Sequence, residues 1–218
     1  MSVVTQTQTQ TQTQTEDAVR KARAVVVLRL RDHRNTVRMG ETLVDAGLTI
    51  MEVTLDHPDS IAALQRLHEA LGERAVLGAG TVRTSDQVAA AAAAGARFCV
   101  SPHTDPAVIE ATVQAGLVAI PGACTATDVA TAVDSGAQLV KLFPAAPLGP
   151  DYLRALRGPF RDVPFVPTGG IRHDQLQPWY DAGAVAVGLG SDLISEDLTE
   201  LHRRATVTAT QAGTGQQP

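Results

Sequence analysis

The chain has 218 residues and a formal net charge of −5, and 44% of its residues are hydrophobic and 19% are charged. These values are typical of a globular α/β protein with a sizeable core, and the absence of a basic stripe argues against nucleic acid or an anionic membrane as a partner. No apolar stretch approaches the roughly 18 residues of a membrane span, and no basic start with an apolar core precedes the first strand, so a cytoplasmic location is the default expectation.

Both ends of the chain are low in complexity. Residues 3–15 read VVTQTQTQTQTQT, and the segment after about Ala205 reads TVTATQAGTGQQP. Segments with so little apolar surface to bury are predicted to be disordered. We therefore expect disordered tails over residues 1–16 and 205–218, and a single folded domain over residues 17–204.

Between these tails, helical segments repeatedly end in a small residue and a glycine, followed at once by an apolar strand, as in DAGLTIMEVT and DAGAVAVGLG. Glycine is the usual left-handed cap at the C-terminus of a helix, so each one predicts a helix-to-strand junction. The junction glycines lie 20 to 25 residues apart, at positions 47, 72, 95, 116, 136, 158 and 183. With the opening strand AVVVLR, they predict eight parallel strands alternating with helices.

An eight-fold βα alternation favours a closed (β/α)8 TIM barrel, although six or seven units would also fit an open doubly wound sheet. In a TIM barrel the chemistry lies at the C-terminal ends of the strands. In chain order these ends carry Arg29, residues 52–54, GAGT (78–81), SPHT (101–104), PGACT (121–125), KLFP (141–144), PTGG (167–170) and GLGS (188–191).

Two charged residues stand inside apolar strand-end runs. Lys141, in QLVKLFPAAP, is either a structural cation paired with a carboxylate or a nucleophile, since apolar surroundings favour the neutral amine that attacks a carbonyl. Glu52, in IMEVTL, could pair with Lys141 across the barrel mouth or serve as a general acid and base. The structural and the catalytic interpretation require the same geometry, so an ion pair between Lys141 and Glu52 does not exclude catalysis.

The last two strand ends, TGG and GLGS, are rich in glycine and predict a phosphate site, because exposed N–H groups at helix N-termini bind anions. The GAGT segment is a tight turn that also offers the Thr81 hydroxyl to a carboxylate or hydroxyl group. His57, His103 and His173 lack metal-ligand spacing, so no metal is expected. Cys99 and Cys124 are predicted to be unpaired thiols, without a disulfide.

Seven motifs in register resemble one family: EVTL (52–55), GAGT (78–81), SPHTDP (101–106), IPG (120–122), VKLFPA (140–145), PTGGI (167–171) and GLGS (188–191). Over about residues 20–195 they look like the 2-dehydro-3-deoxy-phosphogluconate (KDPG) and 4-hydroxy-2-oxoglutarate (KHG) aldolases. The resemblance implies a class I aldolase of the Entner-Doudoroff type on a (β/α)8 barrel, without metal or cofactor and usually a homotrimer. Such enzymes cleave 2-keto-3-deoxy-6-phosphogluconate to pyruvate and glyceraldehyde 3-phosphate.

The resemblance also implies roles for individual residues. The Schiff-base lysine falls on Lys141, the proton-transferring glutamate on Glu52 and the pyruvate-side threonine on Thr81, while Phe143 and Thr168 line the pocket. The phosphate-binding turns fall on Gly169, Gly170, Gly190 and Ser191.

One position departs from the family pattern. Asp56 stands where some members carry an arginine that holds a substrate carboxylate, and an acidic side chain is expected to repel that group. Arg29 matches an arginine of other members and is the expected replacement. Two alternatives to an aldolase stay open: a phosphate-binding isomerase or epimerase without a covalent intermediate, and a non-catalytic barrel that binds a sugar phosphate.

Overall fold

The computed structural model describes residues 6–213 as helices alternating with short parallel strands. The strands are β1 (Ala24–Leu28), β2 (Ile50–Thr54), β3 (Val76–Gly80), β4 (Phe98–Val100), β5 (Val118–Ile120), β6 (Gly122–Ala123), β7 (Lys141–Leu142) and β8 (Val187–Leu189). The helices are α1 (Gln6–Ala22), α2 (Thr36–Asp45), α3 (Ser60–Leu71), α4 (Ser85–Ala93), α5 (Pro106–Gln114), α6 (Ala126–Asp134), α7 (Ala145–Leu156), α8 (Gln177–Asp181) and α9 (Leu198–Ala212), with a short 3-10 helix at Gly72–Arg74.

Six strands form one sheet in the order β5-β4-β3-β2-β1-β8, and β6 pairs with β7 in a second sheet. Every pairing is parallel, which confirms the predicted α/β class with a parallel sheet. The six strands form a half-barrel. In its register Glu52 lies between Val27 of β1 and Gly78 of β3.

The predicted ring of eight continuous strands is met only in part, and prolines explain the interruptions. The fifth predicted strand is divided at Pro121 into β5 and β6. The seventh, between α7 and α8, makes only two isolated parallel bridges, Val140 with Phe165 and Thr168 with Gly188. Proline has no N–H to donate to a strand ladder, so a segment containing Pro164 and Pro167 cannot pair continuously.

The segment still hydrogen-bonds on both sides, donating through its amides toward β7 and accepting through its carbonyls toward β8. The amide of Val166 donates to the Val140 carbonyl at 2.8 Å, and the amide of Gly188 donates to the Pro167 carbonyl at 2.9 Å. Residues 164–168 therefore lie between the β7 and β8 regions of the chain.

The buried side chains form two clusters that alternate along the strands, as the two-residue period of a strand requires. In β2, Ile50 belongs to an inner cluster, while Met51 and Val53 belong to an outer cluster packed against the helices. Around β7, Leu139 is inner, whereas Val140 and Leu142 are outer. The same alternation turns the side chains of Glu52 and Lys141 inward, onto the apolar interior.

The N-terminal repeat is a helix rather than a disordered tail, so the prediction for residues 6–16 is wrong. The prediction of disorder counted only the apolar residues that a segment can bury. Here polar side chains of the repeat are buried as well, because they form hydrogen bonds. Gln12, 8% exposed, donates through Nε2 to the carbonyls of Val113 and Leu117 at 3.2 and 2.9 Å. Val19 on the same helix joins the inner cluster, so α1 covers the end of the sheet opposite the C-terminal ends of the strands. Residues 1–5 lie outside the described part.

The C-terminal prediction is also wrong up to residue 213, because α9 continues well past Ala205. The helix begins with a cap, in which the Asp197 side chain accepts from the amide of Thr199 at 2.9 Å. Its buried face includes Ala205, Thr208 and Ala209, and Thr208 Oγ1 donates to the carbonyl of His173 at 3.2 Å. Alanine and threonine are small enough to pack closely there, which the apolar count did not detect. The predicted tail beyond 213 lies outside the described residues.

The junction glycines are confirmed at six of the seven predicted positions. Positive φ angles occur at the glycines numbered 47, 72, 95, 116, 136 and 183. Gly158 is the exception, since its φ is not positive and its amide donates to the Ala155 carbonyl at 3.1 Å. Across residues 6–213, the structure contains no helix long and apolar enough to cross a bilayer.

Candidate active site

Lys141 is the first residue of β7 and is held by its own backbone. Its amide donates to the Pro121 carbonyl at 2.9 Å, and its side chain is directed inward by the alternation of the strand. The residue is 7% exposed, and Nζ lies 4.8 Å from the centre of the Phe143 ring. Burial lowers the pKa of Lys141, Arg29 lowers it further, and Glu52 opposes the shift. This environment favours the uncharged, nucleophilic amine.

Glu52 is the second inward-facing charge, and it is 1% exposed. Burial raises the pKa of its carboxyl to about 6, against the opposing attraction of Lys141 and Arg29. Among residues 6–213, no hydrogen-bond partner reaches Oε2. A buried carboxylate oxygen without a partner is costly, and such groups concentrate where a substrate or a proton transfer uses them.

Glycines make the space that Glu52 occupies. A Cβ atom placed on Gly80 would lie 2.6 Å from Glu52 Oε1 and 3.1 Å from Thr54 Cγ2. Position 80 of the GAGT segment therefore requires glycine for a reason other than the turn. A methyl group there would displace the carboxylate of Glu52.

A cavity of about 390 Å³ opens above Lys141. It brings together eight of the ten predicted site residues: Arg29, Lys141, Phe143, Thr168, Gly169, Gly170, Gly190 and Ser191. Glu52 lies deeper, in a small internal space that it shares with Lys141 and Thr168. Lys141 thus contacts both spaces, with the carboxylate beneath it and the open cavity above.

The remaining predicted residue, Thr81, reaches the cavity through Arg29. Arg29 donates through one terminal nitrogen to Thr81 Oγ1 at 2.9 Å and through the other to Asp56 Oδ2 at 2.7 Å. Thr54 Oγ1 donates to the second oxygen of Asp56 at 2.7 Å. Asp56 therefore accepts a hydrogen bond from the predicted carboxylate-binding arginine, a contact that the sequence did not reveal. The expected repulsion of a substrate carboxylate by Asp56 stays a prediction.

The two glycine-rich turns border the outer part of the cavity. Gly169 and Gly170 both have positive φ angles, 101° and 75°. Within the described chain, the amides of Gly170 and Ser191 take no part in any hydrogen bond. The sequence predicted that these turns lead into helices, but α8 begins only at Gln177 and α9 only at Leu198. An anion here would therefore meet turn amides rather than the N-terminus of a long helix.

The sequence analysis did not identify Asp192, which adds a carboxylate to the cavity besides that of Glu52. Asp192 follows Ser191, lines the cavity and accepts from the amide of His173 at 2.7 Å. The Nδ1 atom of His173 lies 2.6 Å from the same oxygen. The side chain of His173 is 12% exposed, and through these two contacts it supports the loop. The adjacency of Asp192 to GLGS was the available signal.

None of the other singled-out residues lines the cavity. His57 is half-buried and stacks edge-on against His33 with 5.2 Å between ring centres, while His103 is exposed. Cys99 is buried and both Cys99 and Cys124 are free thiols. Residues 6–213 contain no group of three or more His, Cys, Asp or Glu side chains arranged to hold a metal ion.

Comparison with known proteins places this geometry in a family. Residues 15–210 match the sequence model of the KDPG and KHG aldolases. The chain belongs to the KDPG and KHG aldolase family. The 2-dehydro-3-deoxy-6-phosphogalactonate aldolase of Escherichia coli (strain K12) is 38% identical to it over 152 residues, which are 69% of this chain and 74% of that protein.

Two solved structures show the same fold. One is a KDPG aldolase from Legionella pneumophila with pyruvate captured as a covalent carbinolamine intermediate; it is 30% identical, has a TM-score of 0.79 and covers 92% of this chain and 98% of its own. The other is a designed protein cage made by fusing symmetric oligomeric domains; it is 32% identical, has a TM-score of 0.84 and covers 88% of this chain and 74% of its own. Members of the family are carbon–carbon lyases, and this chain is one of them.

Proposed function

We propose that this aldolase cleaves 2-keto-3-deoxy-6-phosphogluconate to pyruvate and glyceraldehyde 3-phosphate through an imine on Lys141. The observation that supports this most directly is the inward-facing lysine, with a pKa lowered by burial, beside a buried glutamate with a pKa raised to about 6. Both shifts bring the groups closer to neutral pH, where an amine nucleophile and an acid-base carboxyl are most effective.

In the mechanism, the neutral amine of Lys141 attacks the C2 ketone. Glu52 donates and accepts the protons that convert the carbinolamine into an iminium ion with loss of water. Glu52 then removes the C4 hydroxyl proton as the C3–C4 bond breaks, and the bonding electrons pass into the iminium to form a neutral enamine. The aldehyde leaves, C3 takes up a proton, and water hydrolyses the resulting imine to release pyruvate and the free lysine.

The keto acid is oriented by the residues around the mouth of the cavity. In our proposal the Arg29 guanidinium receives the C1 carboxylate, since it lines the same cavity as Lys141 and its charge acts on that amine. Thr81 supports Arg29 and offers its hydroxyl on the pyruvate side, while Phe143 and Thr168 form the walls. Thr168 is fixed by its hydroxyl, which donates to the Val166 carbonyl at 3.1 Å.

The phosphate is assigned to the turns at Gly169, Gly170, Gly190 and Ser191. Two amides without internal partners and a serine hydroxyl border the cavity there, and such groups bind phosphate through hydrogen bonds. The names of the relatives include aldolases for both the phosphogluconate and the phosphogalactonate series. The proposed choice of the gluconate series therefore needs a direct comparison of the two C4 epimers.

We also propose that the eight βα units close into a (β/α)8 barrel acting as one domain, since residues 164–168 hydrogen-bond toward both β7 and β8. A homotrimer is the proposed assembly; the structurally similar designed cage, which is built from symmetric oligomeric domains, supports a symmetric oligomer. Light scattering on the purified protein tests the assembly. With this substrate we also propose a place in the Entner-Doudoroff pathway, in the cytoplasm.

The chain contains only two lysines, Lys21 and Lys141, which makes the imine simple to locate. Borohydride reduction in the presence of pyruvate is expected to modify the wild type and Lys21→Ala, and to leave Lys141→Ala unmodified. Lys21 lies exposed near the end of α1 and is therefore a matched control. Peptide mapping distinguishes the side chain from the terminal amine, and modification that persists in Lys141→Ala would remove this lysine from the mechanism.

Pyruvate release from phosphorylated and unphosphorylated 2-keto-3-deoxy acids of both C4 configurations then identifies the substrate. Fastest release from the phosphorylated gluconate isomer is expected. An epimerase or a non-catalytic sugar-phosphate binder would release no pyruvate and would form no reducible imine.

A further inference from the structure

Four side chains at the ends of β1, β2 and β3 form one continuous hydrogen-bonded chain. Thr54, 1% exposed, donates to one oxygen of Asp56, and Arg29 donates to the other oxygen at 2.7 Å. The second terminal nitrogen of Arg29 donates to Thr81 Oγ1 at 2.9 Å. Because Thr54 is buried, it fixes Asp56 from below, and Asp56 in turn fixes the guanidinium.

The last member of this chain adopts an unusual backbone conformation. Thr81 has φ of 57°, in the left-handed region that β-branched residues avoid. A strained residue persists where surrounding contacts determine its position, and such residues cluster at functional sites. Here Arg29 is the side chain that holds the Thr81 hydroxyl, so a contact at the end of β1 restrains the turn after β3.

Arg29 needs such support because its side chain is 59% exposed. A free arginine samples many rotamers, and ordering it on binding a ligand reduces affinity. Two of its five N–H groups are engaged by Asp56 and Thr81, which leaves three for a ligand. The same Arg29 lines the cavity above Lys141, so its remaining donors are available to an anion bound there.

We propose that Asp56 is a positioning residue that acts through Arg29, holding the guanidinium ready for the carboxylate of a 2-keto acid whose carbonyl faces Lys141. This inference rests on the proposed function, in particular on the role of Arg29. The acidic side chain that stands where some relatives have an arginine is thus a support for the carboxylate site rather than an obstacle to it.

Replacing Asp56 with alanine distinguishes two roles of its carboxylate, positioning Arg29 or repelling the substrate. The two roles predict opposite changes in the affinity for pyruvate. If the carboxylate holds Arg29, its removal should raise the pyruvate concentration that gives half-maximal borohydride trapping by about fivefold, a modest value because the ion pair is partly exposed. The maximal rate of aldol cleavage should stay within about twofold, since the supported group binds rather than reacts. If the negative charge mainly repels the substrate, the same concentration should fall.

Two further variants separate a positioning role from a structural one. Asp56→Asn keeps an oxygen acceptor for Arg29 and a polar group for Thr54, so it should recover most of the lost affinity. In an Arg29→Ala background, Asp56→Ala should produce no further increase, because the residue it supports is gone. Asp32→Ala is the matched control, since it breaks the exposed Asp32–Arg34 pair of the neighbouring loop and should leave the affinity unchanged.

The measurements begin with the wild type, so that two failures can be told apart. Absence of a reducible adduct with pyruvate in the wild type would refute the proposed function. A normal wild-type adduct, together with unchanged or tighter half-saturation in Asp56→Ala, would refute the positioning role alone. Equal increases in the native and Arg29→Ala backgrounds would refute it too, and Asp56→Asn supplies the comparison should the alanine variant fold poorly.

Discussion

Replacing Glu52 with glutamine tests the electrostatics of the site through folding stability. In the folded protein, burial raises the pKa of this carboxyl from 4.5 to about 6. The folded state therefore binds the proton more tightly than the unfolded state, and the free energy of unfolding falls as the pH rises from about 4.5 to about 6. Each pKa unit corresponds to about 1.4 kcal/mol, so this group lowers the free energy of unfolding by about 2 kcal/mol across that interval.

Glutamine cannot ionise, and the variant lacks this pH-dependent loss. The free energy of unfolding of Glu52→Gln minus that of the wild type is expected to increase by about 2 kcal/mol between pH 4 and pH 7. The loss of the carboxylate also lowers the pKa of Lys141, because Glu52 opposes the shift caused by burial. A lysine with a lowered pKa adds stability as the pH rises from its folded-state pKa to its ordinary value of 10.5, so this second effect has the same sign wherever that interval overlaps pH 4 to 7.

Urea unfolding at a series of pH values measures the difference, with Glu110→Gln on the outer surface of α5 as the control for the exchange itself.

Cleavage by Glu52→Gln should fall by about 100-fold or more, the usual contribution of a general acid and base, while pyruvate still forms a reducible adduct. A stability difference that does not vary between pH 4 and 7 would refute the assigned desolvation. Near-normal cleavage would refute the catalytic role.

Two glycine substitutions test the geometry around the lysine. Gly80→Ala places a methyl group 2.6 Å from Glu52 Oε1, so it should slow cleavage by about tenfold or more while pyruvate trapping continues, measured against Gly158→Ala as the control. Gly170→Ala puts a side chain at φ 75° and 2.8 Å from Ala146 Cβ, so it should raise the KM for the phosphorylated substrate by about tenfold but leave that for the unphosphorylated acid unchanged. An equal change in KM for the phosphorylated and the unphosphorylated acid would show that the phosphate does not bind at this turn.

The sequence predicted the repeating units because each junction has local causes. At six of the junctions a glycine with positive φ ends the helix, and short apolar runs form the buried parallel strands that follow. The same pattern assigned Glu52 and Lys141 to strands, but not their exact places, since Glu52 is the third of the five residues of β2 and Lys141 is the first residue of β7. The seventh strand is different, since Pro164 and Pro167 remove donors that its neighbours would otherwise use, and continuous pairing is lost while the path of the chain is kept.

The error on the N-terminal helix and the missed contact of Asp56 both come from hydrogen bonds between polar groups that are far apart in the sequence. Gln12 satisfies two main-chain carbonyls and is as buried as many apolar residues, yet composition alone assigns it to a disordered tail. The contact between Arg29 and Asp56 spans 27 positions in the sequence, and nothing local to either residue indicates the other. Patterns along the chain identify elements and their ends, whereas side-chain networks depend on which ends become neighbours.

The alternation of inward and outward side chains along β2 and β7 fixes the register that the site requires. Glu52 faces inward because Met51 and Val53 occupy the outer core, and Lys141 does so because Val140 and Leu142 are outer residues. A slip of one residue in either strand would put an apolar side chain inside and place the charged one among the helices. The apolar neighbours that make Lys141 a better nucleophile by excluding water therefore also fix the direction in which it points. Hydrophobic packing of the outer layer and activation of the amine are consequences of the same alternation, and a register error would abolish both.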